Sequence, residues 1–216
     1  MMGTKKGHLF VISGPSGTGK GTICGELIKP GQTFGAMLSI SMTTREPRGH
    51  EEDGKNYYFV DKARFEEVIA EDGFFEHAEV YGEYYGTPKA PVIRQLEKGL
   101  DVILEIDVNG AMQVRKNLSE AVLVFIMPPS PEELKRRIES RGTETPERIA
   151  KRLERSEGEI GHLAAYDFCV VNDDLAIAIN DVSAIMRAIR EGDSEAVARL
   201  RVGASAAKII ESYKTV

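Results

Sequence analysis

The sequence predicts an α/β protein in which a parallel sheet carries helices on both faces. Continuous apolar runs of strand length recur along the chain, and longer segments with helical periodicity separate them. Uninterrupted apolar runs are typical of strands buried on both faces, and their alternation with helices implies parallel pairing through crossover connections. The chain has 216 residues, 42% of them hydrophobic, which is enough for one such core with insertions.

The composition limits the classes of binding partner and the cellular location that we expect. The formal net charge is −6, from 28 basic and 34 acidic residues, so we expect no general attraction to nucleic acid or to an anionic membrane. No apolar run has membrane-spanning length and the N-terminus lacks a signal-peptide pattern, so we expect a cytoplasmic protein. Cys24 and Cys169 are expected to be small buried side chains, because no Cys/His cluster of a metal site accompanies them. The sequence leaves the oligomeric state open.

The N-terminal elements follow directly from the pattern of apolar residues. Residues 8–13 are expected to form a buried strand, residues 20–29 a helix that Pro30 and Gly31 end, and residues 35–42 a second strand. Between about 50 and 90 the chain becomes rich in tyrosine, phenylalanine, glycine and acidic residues, which is typical of a small insert. The elements expected there are strands at 57–60, 74–81 and 84–86 and a helix at 62–72.

Core elements resume after this insert. Gly99 ends a predicted helix at 88–98, and the polar residues of a strand at 101–107 lie at its carboxyl end, where ligands bind in open α/β sheets. The remaining core elements are a helix beginning at 111, strands at 121–127 and 168–171, and a helical C-terminal region.

A charged helical segment interrupts the core at 131–160, and residues 142–146 divide it into two helices, as in a lid that moves. Ser130 can cap the first of them. We therefore expect three parts: a core of residues 1–40, 96–127 and 163–216, an insert at 41–95 and a lid at 128–162.

A glycine-rich segment between the first strand and the first helix indicates a phosphate site. Gly14, Gly19 and Lys20 have the spacing of the P-loop, in which backbone N–H groups and a helix N-terminus surround an anion. The lysine then places a positive charge on the distal phosphates of a nucleoside triphosphate. The alternative is a glycine-rich turn with a surface lysine. The expected phosphate-binding residues are Gly14, Pro15, Ser16, Gly17, Thr18, Gly19, Lys20, Gly21 and Thr22.

Both the insert and the lid contain several arginines. Phosphoryl transfer needs positive charge around the moving group, and arginine suits bidentate phosphate contact. Arg45 and Arg48 lie three residues apart in a loop, whereas the spacing in the lid places several arginines on one helical face. The alternative for the lid is a solvated face with ion pairs to glutamate. The lid arginines are Arg136, Arg137, Arg141, Arg148, Arg152 and Arg155.

A second group of polar side chains could select a base. A carboxylate accepts two hydrogen bonds side by side, which matches the N1–H and 2-amino groups of guanine, and Glu76 lies among apolar neighbours where an unpaired charge is costly. Its alternative is an exposed glutamate at a strand end, and Tyr57 and Tyr85 are either phosphate ligands or packing aromatics. Asp107 could hold Mg²⁺ through a water. The candidates for the base site are Ser41, Glu76, Thr87, Glu105 and Asp107.

Taken together, these motifs resemble those of the guanylate kinases, in the nucleoside monophosphate kinase group with the P-loop fold. They occur in the family's order and cover about residues 8–180. The motifs are GPSGTGKGT at 14–22, SMTTREPR at 41–48, GKNYYF at 54–59, FE at 75–76, YYGT at 84–87, LEIDVNG at 104–110, RGTET at 141–145 and VNDD at 171–174.

The resemblance implies that ATP phosphorylates GMP, and dGMP as well, with Mg²⁺ as cofactor. It implies that Ser41 and Glu76, with Glu105 or Asp107, bind guanine. It implies that the GMP phosphate is bound by Arg45, Arg48, Tyr57 and Tyr85, and that Thr87 also belongs to the GMP site. ATP is assigned to residues 14–22 and Arg137, and catalysis to Lys20, Arg45, Arg141 and Arg152. Gly21 stands where the P-loop pattern has Ser or Thr, so the expected metal contacts are Thr22 and, through water, Asp107.

Two other interpretations stay open at this point. One is a kinase of the same class that phosphorylates AMP or a pyrimidine nucleotide. The other is a non-catalytic module that uses this fold to bind a partner, as some guanylate-kinase-like domains do. Ser41 with Glu76 argues against the first, and the intact Gly19-Lys20 pair with the lid arginines argues against the second.

Overall fold

The computed structural model describes residues 6–33, 35–140, 146–202 and 211 of the chain. The strands are β1 (Leu9–Ser13), β2 (Met37–Leu38), β3 (Met42–Thr43), β4 (Tyr58–Phe59), β5 (Phe74–Val80), β6 (Glu83–Pro88), β7 (Val102–Glu105), β8 (Val122–Met127) and β9 (Phe168–Val171). The helices are α1 (Lys20–Leu27), α2 (Lys62–Ala70), α3 (Lys89–Glu97), α4 (Val108–Asn117), α5 (Pro131–Glu139), α6 (Pro146–Ile160), α7 (Leu175–Glu191) and α8 (Ser194–Leu200).

Five of these strands form a parallel sheet in the order β2-β7-β1-β8-β9. The central strand β1 is buried along its whole length, and Val11 pairs with Leu104 on one side and with Leu123 on the other. Because the strands are parallel, the residues that follow β1, β7, β8 and β9 all meet at one edge of the sheet. The predicted α/β class with a parallel core is confirmed.

Each face of the sheet has its own apolar layer. Alternate β1 residues divide between the layers, with Val11 in one and Ile12 in the other. Ile23 of α1 and Val182 of α7 pack with Ile12, whereas helices α3, α4 and α5 cover the Val11 face. Helices therefore lie on both faces, as the continuous apolar strands require.

A smaller mixed sheet follows β2, in the order β4-β3-β6-β5. Strands β3 and β4 are parallel, and the other two pairings are antiparallel. Phe65, Val68 and Phe74 form a separate apolar cluster beneath this sheet. The single strand predicted at 35–42 is wrong. The chain forms two short strands there, β2 in the large sheet and β3 in the small one, because it changes sheets between them.

The charged segment forms two helices, α5 and α6, as predicted, and Ser130 caps the first by accepting a hydrogen bond from the Glu133 N–H at 3.2 Å. The three-part division of the chain stays a prediction. In the part of the chain that the structure describes, no helix is both long enough and apolar enough to cross a bilayer.

Candidate active site

The turn between β1 and α1 has the backbone of an anion-binding loop. Gly14, Gly17 and Gly19 adopt φ values of 135°, 93° and 89°, which side chains rarely tolerate. A Cβ on Gly14 would lie 2.2 Å from the Ile126 carbonyl oxygen of β8. The glycines therefore permit both the curvature of the loop and its close contact with the sheet.

Donors of the protein itself hold the loop carbonyls. The Lys20 ammonium donates to the Gly14 oxygen at 2.6 Å and to the Pro15 oxygen at 2.8 Å. The Thr18 hydroxyl also donates to the Pro15 oxygen, at 2.9 Å. Burial lowers the pKa of Lys20, and the nearby Glu105 and Glu159 carboxylates oppose that shift. The lysine is thus a partly desolvated charge inside the loop, where it acts more strongly than in water.

Glu105, at the end of β7, lies next to the start of α1. A Cβ on Gly21 would be 3.2 Å from a Glu105 carboxylate oxygen. Burial raises the pKa of Glu105, and the charge of Lys20 opposes the rise. The carboxylate therefore occupies the space into which a side chain at position 21 would project.

A cavity of about 930 Å³ opens above the loop and runs beneath α6. Gly14, Ser16 and Lys20 line it from the loop, and Tyr81 reaches it from the turn between β5 and β6. The charged face of α6 lines the opposite side with Arg148, Lys151, Arg152, Arg155 and Glu159. The arrangement places cationic side chains across the cavity from the loop between β1 and α1.

An ion pair joins α6 to the start of α4. Asp107 caps α4 by accepting from the Gly110 N–H at 2.9 Å, and its second oxygen accepts from Arg155 at 2.8 Å. Arg155 also donates to Glu159 at 2.8 Å. Both partners of the Arg155–Asp107 pair are about half exposed, so the contact orients α6 without adding much stability.

Glu76 is buried on β5, and its carboxylate accepts a hydrogen bond from a hydroxyl group. The Thr87 hydroxyl of β6 donates to it at 2.6 Å, and Thr87 is fully buried. A Cβ on Gly110 would lie 3.1 Å from the other Glu76 oxygen, so α4 passes close to this carboxylate. Burial raises the pKa of Glu76, and the Asp107 charge adds to the rise. The structure thus puts Asp107 near Glu76, and Glu105 near Lys20.

Arg45 forms the centre of an aromatic and acidic group after β3. Its guanidinium lies over the Tyr57 ring, 5.5 Å from the centroid, and contacts both Glu51 oxygens at 3.0 Å. Tyr57 and Tyr85 meet edge to face with centroids 6.1 Å apart. The hydrogen bond from Arg45 lowers the pKa of Glu51. Arg45, Tyr57 and Tyr85 are therefore adjacent, as their predicted common role requires.

Three further predicted residues lie on the loop after β3, before β3 and on α1. Arg48 is exposed, and its backbone N–H donates to Glu51 at 2.7 Å. Ser41 precedes β3 and accepts a backbone hydrogen bond from Tyr58 at 2.8 Å. Thr22 is exposed on the first turn of α1. Arg141 lies outside the described residues.

Arg137 of α5 contacts Asn172, the residue that follows the last core strand. It donates to Glu133 at 2.6 Å and to the Asn172 carbonyl at 2.9 Å. Sequence reasoning assigned no role to Asn172, Glu159 or Tyr81. For Asn172 a signal was present, since a polar residue after a core strand belongs to the ligand-binding edge of the sheet.

The donor set suits Mg²⁺ bound together with phosphates. Among the described residues, no group of three or more His, Cys, Asp or Glu side chains could hold a metal ion. Mg²⁺ usually takes one or two protein oxygens and completes its shell with phosphates and water. Glu105 beside Gly21, the adjacent Thr22 and the nearby Asp107 offer oxygens of this kind.

Comparisons with known proteins agree on one family. The sequence profile of the family described as "Guanylate kinase" matches residues 6–189. A guanylate kinase from Clostridium tetani is 51% identical over 184 residues, which are 85% of this chain and 87% of that protein. One from Thermus thermophilus is 52% identical over 185 residues, covering 86% and 83%. The crystal structure of guanylate kinase from Anaplasma phagocytophilum superposes with a TM-score of 0.67 at 35% identity, covering 87% of this chain and 88% of that one.

Proposed function

The chain belongs to the guanylate kinase family, and we propose that it transfers the γ-phosphoryl group of ATP to GMP, giving ADP and GDP. The observation that carries the proposal is the presence of two sites, one on each sheet. A phosphate-binding loop with Lys20 lies on the core, and the buried Glu76 carboxylate lies on the small sheet. A kinase for a guanine nucleotide needs both.

Glu76 supports guanine as the accepted base. Its carboxylate offers acceptor oxygens at a buried position where an unmatched charge is costly, so a base with two adjacent donors is favoured. The N1–H and 2-amino groups of guanine are such donors, whereas adenine lacks the pair. Ser41, Thr87, Glu105 and Asp107 stay predicted members of this site.

The GMP phosphate is assigned to the group around Arg45. Arg45, Tyr57 and Tyr85 are already adjacent, and Arg48 lies on the same loop. Glu51 holds the Arg45 guanidinium in a two-oxygen contact, which limits its rotamers before substrate binds. A preoriented arginine loses less side-chain entropy when it engages a phosphate.

ATP is assigned to residues 14–22. Lys20 can exchange its bonds to the Gly14 and Pro15 carbonyls for oxygens of the β- and γ-phosphates, which places its charge where the transferred group develops negative charge. Arg152 from α6 lines the same cavity, and with Arg141 it is proposed to neutralise the moving group. Arg137 is proposed to assist ATP binding.

Mg²⁺ is the proposed cofactor, held by Thr22 and, through water, Asp107. When bound, the ion neutralises phosphate charge and orients the donor. The reaction belongs to purine nucleotide metabolism, and we place it in the cytoplasm, in keeping with the free thiols of Cys24 and Cys169. dGMP is a second proposed acceptor.

An acceptor assay tests the proposal. The purified chain is incubated with ATP, Mg²⁺ and one of GMP, dGMP, AMP, CMP or UMP, and the diphosphate product is quantified. We expect rapid formation of GDP and dGDP and rates at least about 100-fold lower with the other acceptors. Turnover of AMP or of a pyrimidine nucleotide at the GMP rate would contradict the assignment of the base, and no turnover with any acceptor would favour a binding module.

A further inference from the structure

The side chain of Asn172 fastens the phosphate-binding loop to the sheet. Asn172 follows β9 directly, is 5% exposed, and donates from its amide nitrogen to the Thr18 carbonyl oxygen at 2.8 Å in a buried hydrogen bond. Its own backbone N–H donates to the Met127 carbonyl at the end of β8. The amide is therefore rigidly placed when it contacts the loop.

The contact between Asn172 and the loop leaves no room for a side chain at position 19. A Cβ at position 19 would lie 2.5 Å from the Asn172 amide nitrogen, closer than real Cβ atoms approach. Gly19 also has a φ of 89°, at the N-cap position immediately before α1. The loop thus requires glycine at this position for two independent reasons, and one of them is the side chain of Asn172.

The contact fixes the direction of one peptide group. In a planar trans peptide the C=O and the following N–H point in opposite directions. Holding the Thr18 carbonyl toward Asn172 therefore turns the Gly19 N–H away from Asn172. The Pro15 carbonyl is held by the Thr18 hydroxyl in the same way.

We propose that Asn172 is a positioning residue that presets the Gly19 N–H to face the phosphates of the bound nucleoside triphosphate. The inference rests on the proposed function, because it assigns phosphates to residues 14–22. Asn172 acts here through the loop backbone, so its effect belongs to the phosphate groups of the donor and not to its base or to the acceptor.

The same residue joins the loop to the lid. The backbone carbonyl of Asn172 accepts from Arg137 of α5, and Arg137 is held in turn by Glu133. A substitution of the Asn172 side chain leaves this backbone contact in place. The loop contact can therefore be removed without removing the contact to the lid.

The test compares Asn172→Ala and Asn172→Asp with the wild-type chain. The aspartate has nearly the same shape but no N–H to donate. Ser183→Ala is the matched control, because Ser183 also donates a side-chain hydrogen bond to a backbone carbonyl, that of Gln32, far from the loop. Dissociation constants for ADP and GMP are measured by calorimetry, and the inhibition constant of adenosine by competition with ATP. Thermal melts report folding.

We expect ADP to bind about 3- to 10-fold more weakly to Asn172→Ala, the loss corresponding to one hydrogen bond, and more weakly still to Asn172→Asp. Binding of adenosine and GMP should stay within twofold of wild type, and Ser183→Ala should change none of the three constants. Equal weakening of adenosine and ADP would instead mean contact with the base, and would overturn the inference. If the wild-type chain phosphorylates GMP and both Asn172 variants bind ADP with wild-type affinity, only this inference is overturned. If the wild-type chain itself binds no ADP, the proposed function is overturned too.

Discussion

The Thr87 hydroxyl donates a 2.6 Å hydrogen bond to the Glu76 carboxylate, and the two side chains are buried side by side on neighbouring strands. The bond partly offsets the cost of holding a carboxylate away from water. It also fixes one carboxylate oxygen, so the orientation of Glu76 is set before a nucleotide binds. The proposed acceptor site therefore depends on a pair of residues and not on the glutamate alone.

Replacing Thr87 with valine tests this pair. Thr87→Val keeps the shape but removes the donor, so we expect the KM for GMP to rise roughly 10-fold while the KM for ATP stays unchanged, as a charged hydrogen bond contributes about 1.5–3 kcal/mol. Thr87→Ser retains the hydroxyl and is the control. Steady-state kinetics with each substrate varied measure the effect. An unchanged KM for GMP in Thr87→Val would show that the hydroxyl does not orient Glu76.

The raised pKa of Glu76 predicts a pH dependence with a definite sign. Because the folded chain binds this proton more tightly than the unfolded chain, the free energy of unfolding should fall as pH rises from 4.5 through the raised folded-state pKa. Glu76→Gln has no proton to bind or release at this position. Urea unfolding at a series of pH values should therefore show the nucleotide-free Glu76→Gln variant gaining stability relative to wild type as pH rises. Curves that stay parallel would mean that Glu76 titrates normally.

Removing the charge of Lys20 should affect turnover more than binding. We expect Lys20→Ala to lower kcat by roughly 100-fold or more, the cost of one preorganised charge at the transferred group. Lys29→Ala is the control, because Lys29 is exposed and pairs only with Glu26 three residues earlier among the described contacts. Steady-state kinetics with ATP varied at saturating GMP separate kcat from the KM for ATP. A loss confined to the KM for ATP would argue against a role in the transition state.

Two glycines near α1 should respond oppositely to alanine. Gly14→Ala forces a side chain onto a φ of 135° and against the Ile126 carbonyl, so we expect it to destabilise the fold by about 1–3 kcal/mol. Gly25 lies within α1, and a Cβ there meets nothing within 4 Å. Gly25→Ala should therefore stabilise by up to about 1 kcal/mol. Guanidinium unfolding of the two variants measures both values, and a neutral Gly14→Ala would refute the close contact with β8.

The local pattern of apolar residues was sufficient to predict most strands and helices of the fold. The uninterrupted apolar runs identified the strands of the large sheet, because parallel strands covered on both faces leave no polar alternation. The same reasoning failed at 35–42, where one apolar stretch contributes to two sheets. Periodicity describes which residues are buried, and it carries no information about which sheet buries them.

The site was predictable where its chemistry is local in sequence. The loop at 14–22 brings its own glycines and lysine, so spacing alone reveals it. The contact of Asn172 with Thr18 joins residues 154 positions apart, and that of Arg155 with Asp107 joins residues 48 apart. Such contacts depend on strand order and on the packing of α6, neither of which the spacing of residues encodes.

We propose that the Glu76 carboxylate selects guanine by accepting from the paired N1–H and 2-amino donors of the base. A comparison of GMP with IMP tests this selection, because IMP lacks only the 2-amino group. The quantity to measure is the ratio of kcat/KM for the two acceptors, with ATP saturating, in the wild-type chain and in Glu76→Gln. We predict that wild type prefers GMP by roughly 100-fold or more and that the variant reduces the preference to less than about 10-fold. An equal preference in both proteins would contradict the account, since the 2-amino group would then be recognised elsewhere.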